Sequence, residues 1–494
     1  MEDLAGFTFT DRHFFEPLSC FPVSAEYPDL LKELIPRDWR VGRFDVWLSA
    51  HPPAASMPDQ GFKIHVSTQT RNAAETMRRV IPECVRAETS FKVAADPLLL
   101  RFLNSKRAGR GSGAKFMTIY PRTQAAFQEL IEAIHRATSD LEGPYILSDQ
   151  RYRDSRSVFY RYGGFRSIRT VLVDGRHSTV IAGPGGEFVP DERLPYFQLP
   201  DWVRDPLAPS SAAAEEGGLL HDRYDVQEAL AFSNSGGVYR AVDTATGQMV
   251  VIKEARPHID AWVGREFAVN AVKVLHREHN VLRRLQHLSW VPDVVELFHE
   301  WEHTFLVIGF VEGEPLAQYR ARDDIILIPY MHVPERVSQF SVLLRTVALQ
   351  LIDAVEAVHR VGVVLGDLSP NNVLINPDTL ELRLIDFESA RIEDQPDELE
   401  EFSTQWFTQG FRRAQAHAAT LDPADDYFAV GRILFNLLLP VQTMFDFEPA
   451  AGERFLGAFA EAGLPPQVRR IIELLMECRA DEAKGVIESW NPAA

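Results

Sequence analysis

At 494 residues, 46% hydrophobic and 24% charged, the chain has the composition of a folded globular protein and the length for about three ordinary domains or two large ones. Its net charge of −19 argues against a nucleic-acid partner, which needs a basic footprint, and the lack of any apolar run near about 18 residues argues against a membrane span. Cys20, Cys84 and Cys478 have no metal-ligand spacing, and the N-terminus lacks a signal-peptide pattern, so reduced thiols in the cytoplasm are expected.

The fold class expected is a multidomain α+β protein: an α/β domain over residues 1–203, a linker over 204–219 and a bilobal domain over 220–494. In the first domain, Phe62-Lys-Ile-His-Val-Ser67 alternates, so a strand would place Lys63, His65 and Ser67 on one face and Ile64 and Val66 in the core. Thr123–Leu141 has helical periodicity, and strands are expected at Tyr145–Ser148, Val158–Tyr162 and Thr170–Val173. Two basic clusters stand out in so acidic a chain. Arg101, Lys106, Arg107, Arg110, Lys115 and Arg122 share a stretch with no acid, and Arg151, Arg153, Arg156, Arg161, Arg166 and Arg169 are accompanied only by Asp154. Such clusters suit an anion, most simply phosphate, or else form a solvated basic face. The linker is rich in Pro, Ser, Ala and Gly.

The second domain carries the parts of a phosphoryl-transfer centre in kinase order, with an N-lobe expected over about 220–312 and a C-lobe over about 313–494. Phe232–Ala241 can form a turn that covers nucleotide phosphates, with Gly236 and Gly237 giving close backbone approach, and Val250-Val-Ile-Lys253 presents a lysine for the α- and β-phosphates. Glu278, on an amphipathic helix over Leu275–Leu285, is the expected ion-pair partner of Lys253, with Glu266 as rival. Phe305–Gly313 is expected to be the strand and hinge against the base of ATP or GTP. Val364-Leu-Gly-Asp-Leu-Ser-Pro-Asn-Asn offers Asp367 as acceptor of the attacking hydroxyl's proton, while Asn372 and Asp386 supply hard oxygens for Mg2+. Asp426 falls where a kinase buries an aspartate of its central helix.

Residues 220–490 thereby resemble the protein-kinase superfamily, with departures. Asp-Phe-Glu388 replaces Asp-Phe-Gly, Leu-Gly366-Asp replaces His-Arg-Asp, Ser369 stands where serine/threonine kinases have lysine, and Arg-Ala-Gln415 replaces Ala-Pro-Glu. Without that arginine, and with the acidic stretch Glu393–Glu401, activity independent of loop phosphorylation is expected.

Together with Gly61-Phe-Lys-Ile-His-Val-Ser, Phe91-Lys-Val, Lys115-Phe-Met-Thr-Ile-Tyr-Pro and Phe159-Tyr-Arg-Tyr-Gly-Gly-Phe165, these motifs resemble class III lanthipeptide synthetases. The resemblance implies a phosphoserine/phosphothreonine lyase followed by a kinase, acting on a precursor (leader-core) peptide. Ser or Thr would be phosphorylated, then phosphate eliminated to dehydroalanine or dehydrobutyrine. It also implies a lysine base at Lys92 and a histidine acid at His65. Elimination further needs cations around the phosphate, and Lys63, Lys115, Arg151 and Arg161 are the candidates. The family's C-terminal cyclase has no counterpart here, so a separate cyclase is a possible partner. The alternative is a regulatory Ser/Thr kinase with an N-terminal phosphopeptide-binding module, and a third reading is a pseudokinase scaffold.

Overall fold

The computed structural model describes all residues except 1–8, 12–15, 54–56, 110, 112, 172–174, 176, 193, 195, 209–217, 264–267, 324, 396–406, 414–420, 442–443, 445–447, 449 and 493–494. Arg110, Val173, Glu266, Ala414, Gln415, residues 396–401 of the acidic stretch and the middle of the linker lie outside the described residues. The chain divides into two units: the first comprises 1–239, 253–272 and 299–304, and the second 240–252, 273–298 and 305–494.

The first unit is built on a seven-stranded sheet of order β1-β2-β4-β5-β3-β7-β6. Its strands are β1 (Arg40–Phe44), β2 (Trp47–His51), β3 (Gln60–Val66), β4 (Phe91–Ala94), β5 (Met117–Ile119), β6 (Gln150–Arg151) and β7 (Val158–Gly164). Every neighbouring pair runs antiparallel, in keeping with the α+β class expected for the chain. One face is apolar because alternate residues point to it: Ile64, Val66, Phe91, Val93, Met117, Ile119, Val158 and Tyr160 join one buried cluster. Helices Glu26–Leu34, Ala73–Arg86 and Gln124–Ala137 contribute to that cluster. In the last of these, Phe127, Leu130, Ile131 and Ile134 form the buried stripe, and the Thr123 hydroxyl caps the start by accepting the Ala126 N–H. Burial of each such side chain contributes about 1.5–3 kcal/mol.

The expected strand at Tyr145–Ser148 is irregular chain instead, and this matters for the site. A second antiparallel sheet is formed by β8 (Ile168–Val171), β9 (His177–Ala182) and β10 (Phe188–Pro190). The five-stranded sheet has the order β11-β12-β13-β17-β16, with β11 (Tyr224–Ser233), β12 (Gly236–Asp243), β13 (Met249–Ala255), β16 (Val294–Glu300) and β17 (His303–Gly309); β14 (Asp260–Val263) pairs with β15 (Ala268–Asn270).

The first unit does not stop at residue 203. Ile259 is buried with Ala114, Ile146 and Phe159, and the buried Arg256 guanidinium donates to the carbonyls of Asn234 and Tyr145. These contacts draw β11, the glycine turn and residues 253–272 into it.

The second unit is mainly helical. Pro334–Arg360 is almost wholly apolar on its inner side, Pro423–Leu438 buries Asp425, Asp426, Arg432 and Asn436 among its apolar residues, and Pro466–Met476 and Ala480–Ser489 complete the bundle. A short hairpin, Val373–Ile375 against Leu382–Leu384, sets Asn372 and Ile385 at its open end, where the Ile385 N–H donates to the Asn372 carbonyl. No helix among the described residues is long and apolar enough to cross a membrane.

Candidate active site

On the polar face of the seven-stranded sheet, Lys92 of β4 stands opposite Thr118 of β5, and Thr118 opposite His65 of β3. Directly paired residues share a face, so the three side chains form one row across adjacent strands. Strands lie about 4.8 Å apart, so Lys92 and His65 are about 10 Å apart at the backbone with Thr118 between them. The row continues to Phe159 on β7 and to Ser49 on β2. Lys63 and Arg161 pair with each other one step along the same face.

His65 is buried, and its Nδ1 meets the Asp149 carboxylate in a short hydrogen bond. The other Asp149 oxygen accepts the Ser148 hydroxyl at 2.8 Å and lies 3.8 Å from the Lys115 ammonium. Burial drives His65 down to about 3; Asp149 opposes this, while Lys115 and Lys63 reinforce it. For Asp149, burial pushes the carboxyl upward, but His65 and Lys115 outweigh it and hold it below the usual carboxylate range. For His65, desolvation exceeds the pull of one carboxylate. Lys92 is half-buried, with its Nζ 4.2 Å from the centre of the Trp47 ring.

The four expected phosphate cations fare differently. Lys115 Nζ donates to the Gly111 carbonyl and the Ser148 hydroxyl, beside Asp149. Lys63 Nζ donates to the Gly164 carbonyl at 2.7 Å. Arg161 spends one nitrogen on Asp191 and the Glu192 carbonyl. Beside it a cavity of about 210 Å³ is lined by Ser148, Arg161, Asp191, Tyr196 and Trp202 among others. Arg151 has both terminal nitrogens held by Glu302 at 2.6 Å, and its guanidinium lies against Tyr145 and Trp301.

Gly236 and Gly237 form a turn in which a Cβ at position 236 would overlap the Glu254 carbonyl oxygen at 1.9 Å, so only glycine fits. The Gly237 N–H donates to Glu254 Oε2, and the Asn234 side chain donates to the carbonyls of Leu103 and Ser105. This corrects the picture of an open loop with amides directed at phosphate: the Gly237 amide is taken by a carboxylate. Lys253 lies half-buried on β13 of the same unit.

In the second unit, Asp367 accepts the Thr408 N–H at 2.6 Å, and Asn372 donates to the Asp367 carbonyl. Burial pushes the Asp367 carboxyl up to about 6; the Thr408 contacts oppose this, and Asp386 and Glu388 add to it. Asp426 accepts the N–H groups of Leu365 and Gly366 and meets His359 Nε2, fixing the loop from beneath. Ser369 is buried, its hydroxyl without a hydrogen-bond partner among the described residues. Glu278 accepts the Phe387 N–H at 3.2 Å, and one carboxylate oxygen each from Glu278, Asp386 and Glu388 lie within 4.8 Å of one another. Hard oxygens gathered in this way suit a divalent cation such as Mg2+.

Comparison with known proteins matches both halves of the chain. Residues 28–219 match the model of the RamC N-terminal domain, and residues 224–450 match the protein kinase domain. The probable SapB synthase of Streptomyces coelicolor is 38% identical over 363 residues, which is 73% of this chain and 38% of that protein. The chain combines a RamC N-terminal domain with a protein kinase domain, a pair that matches the lyase-kinase portion of class III lanthipeptide synthetases.

The chain's match spans well under half the length of that relative. Its kinase part is also similar to mitogen-activated protein kinase 12 of Oryza sativa subsp. japonica, 30% identical over 44% of this chain and 35% of the other, and to cyclin-dependent kinase D-1 of Arabidopsis thaliana, 31% identical over 46% and 51%. Protein kinase domains in general use ATP and Mg2+. Sequence reasoning missed Asp149, Thr118, Asp191 and a site for Glu388. The signal for Asp149 was a buried histidine's need for an orienting carboxylate, which a search of the loop before the basic cluster would have met.

Proposed function

We propose that this chain dehydrates Ser and Thr of a ribosomally made precursor peptide in lanthipeptide biosynthesis, by phosphorylation and then elimination of phosphate. In the first step Asp367 takes the proton of the attacking hydroxyl, and Asn372 holds the Asp367 backbone in place. Asp386 with Asn372 would hold Mg2+, with the carboxylates of Glu278 and Glu388 beside Asp386. When bound, the magnesium nucleotide, ATP or GTP, supplies the phosphoryl group and neutralises its charge. Lys253 would meet the α- and β-phosphates.

In the second step Lys92 removes the α-proton, the Cβ–O bond breaks, and His65 protonates the departing phosphate oxygen. Asp149 orients His65 and stabilises the imidazolium when it forms. Lys63, Lys115 and Arg161 surround the phosphate, whose dianion raises His65 toward the protonated form that burial alone disfavours. The observation that carries this reading is the Lys92–Thr118–His65 row with Asp149 behind it.

The test is mass analysis of a Ser/Thr-rich precursor peptide, encoded beside the gene, after incubation with nucleotide and Mg2+. Products lighter by one water per site are expected. Lys92→Ala and His65→Ala should leave products heavier by one phosphate. A wild-type protein that leaves only stable phosphopeptide would favour the regulatory kinase with a phosphopeptide-binding module.

A further inference from the structure

The polar face of the seven-stranded sheet does not end at Lys92. Ser49 on β2 pairs directly with Lys92, His51 lies two residues further along β2, and Arg40 on β1 pairs with His51. Alternation puts all of them on the Lys92 face. With Ser90, Met57 and Arg166 they line a concavity of about 410 Å³ at the β1–β2 edge of the sheet. Ser49 belongs both to that lining and to the Lys92 row, so the concavity adjoins the elimination site.

Its chemistry is one-sided. Two guanidinium groups, an imidazole and two hydroxyls face it, and no carboxylate lines it. The nearest counter-charge is Asp59, 3.4 Å from Arg166, with both side chains about three-fifths exposed. An exposed pair of that kind is weak and exchanges readily for another anion. Burial and the Arg40 charge hold His51 below the ordinary imidazole range, leaving it a neutral hydrogen-bonding group near neutrality. Such a cationic hollow, in a chain of net charge −19, is a recognition feature and not a consequence of composition.

We propose that this concavity is a specificity subsite that binds a carboxylate side chain of the substrate peptide, close in sequence to the phosphorylated Ser or Thr. The planar forks of Arg40 and Arg166 match a carboxylate, and the Ser90 hydroxyl adds a donor. One strand spacing and two residues separate His51 from Lys92, about 8 Å, which an extended peptide covers in two to three residues. The subsite rests on the reading of Lys92 and His65 as the elimination pair and adds to it a substrate preference.

The experiment uses the full chain and synthetic phosphoserine peptides with Glu or Gln placed singly at each of three positions on either side of the phosphoserine. Phosphate release gives kcat/KM for each. At the preferred position the Glu peptide is expected to exceed its Gln counterpart by about tenfold, mainly through KM. Arg40→Ala with Arg166→Ala should bring that ratio to one without changing kcat/KM for the Gln peptide, which also reports that the double variant is folded. Arg40→Lys should restore part of the preference. Elimination from every peptide with a ratio of one at all positions, or a ratio that survives the double substitution, overturns the subsite. Absence of elimination from any phosphopeptide brings down the lyase reading and the subsite with it.

Discussion

At the scale of single residues, His65 and Asp149 are a buried pair in which the proton's position sets the chemistry. Replacing Asp149 with Asn keeps the size and removes the charge that favours imidazolium. Elimination from a synthetic phosphoserine peptide should fall by on the order of 10²–10⁴ while phosphorylation continues. Phosphate release and peptide phosphorylation, measured separately, check this. Because burial holds His65 down to about 3 in the free protein, its imidazole should remain neutral through the ordinary histidine range in NMR titrations. A non-eliminable phosphonate peptide should move that titration upward, since an adjacent dianion favours the cation. Asp367 gives the opposite limb for the kinase. Burial lifts it to about 6, above the ordinary carboxylate value, and the ionised form is the one that accepts a proton. Phosphorylation kcat/KM should therefore rise with pH through about 6 and level off above it, falling about tenfold per unit below. A profile flat down to about pH 4, the region of an ordinary carboxylate, would contradict that environment.

At the scale of elements, the catalytic loop explains its own departure from the kinase pattern. Gly366 has φ +75°, and a Cβ there would meet Leu421 at 2.7 Å and the Ser389 carbonyl at 3.0 Å. The arginine common at this place in kinases does not fit such a backbone. Gly366→Ala should cost about 1–2 kcal/mol from the left-handed backbone alone. A lowered melting temperature and reduced phosphorylation are expected, with elimination from a phosphopeptide retained. Much of this element was legible in the sequence. The spacing of Asp367, Asn372 and Asp386 is local, set by one loop and one hairpin, and Asp426 could be placed from the kinase order. The alternation of residues 62–67 likewise revealed the Lys63 and His65 face. Asp149 was not legible, because it reaches His65 from 84 residues away and follows irregular chain at 145–148 where a strand was expected. Nor did charge clustering tell Arg151 from Arg161; only the position of Glu302 shows which guanidinium is clamped at both nitrogens. Strand register, which aligns Lys92 with His65 through Thr118, depends on pairing across the sheet and leaves no mark in spacing.

At the scale of the whole molecule, the two chemistries occupy different units: Lys92, His65 and Asp149 belong to the first, and Asp367, Asn372 and Asp386 to the second. The division does not follow the linker, because Arg256 and the glycine turn are buried within the first unit, hydrogen-bonded to the carbonyls of Tyr145, Leu103 and Ser105. Separate catalytic groups predict separable activities. Asp386→Asn removes a carboxylate from the oxygen cluster that suits Mg2+, in the unit that does not contain the Lys92–His65 row. Phosphorylation should fall by at least about 10², the scale on which loss of a positioned charge acts in a transition state. Elimination from a synthetic phosphoserine peptide should stay at the wild-type rate, because that substrate arrives with its phosphate installed. His65→Ala should give the reverse pattern, and mixing the two variants should restore dehydration of an unphosphorylated peptide if the intermediate leaves one molecule and enters another. If Asp386→Asn abolishes elimination from the ready-made phosphopeptide, the two steps do not use separate groups, and the assignment of Lys92 and His65 to the second step fails.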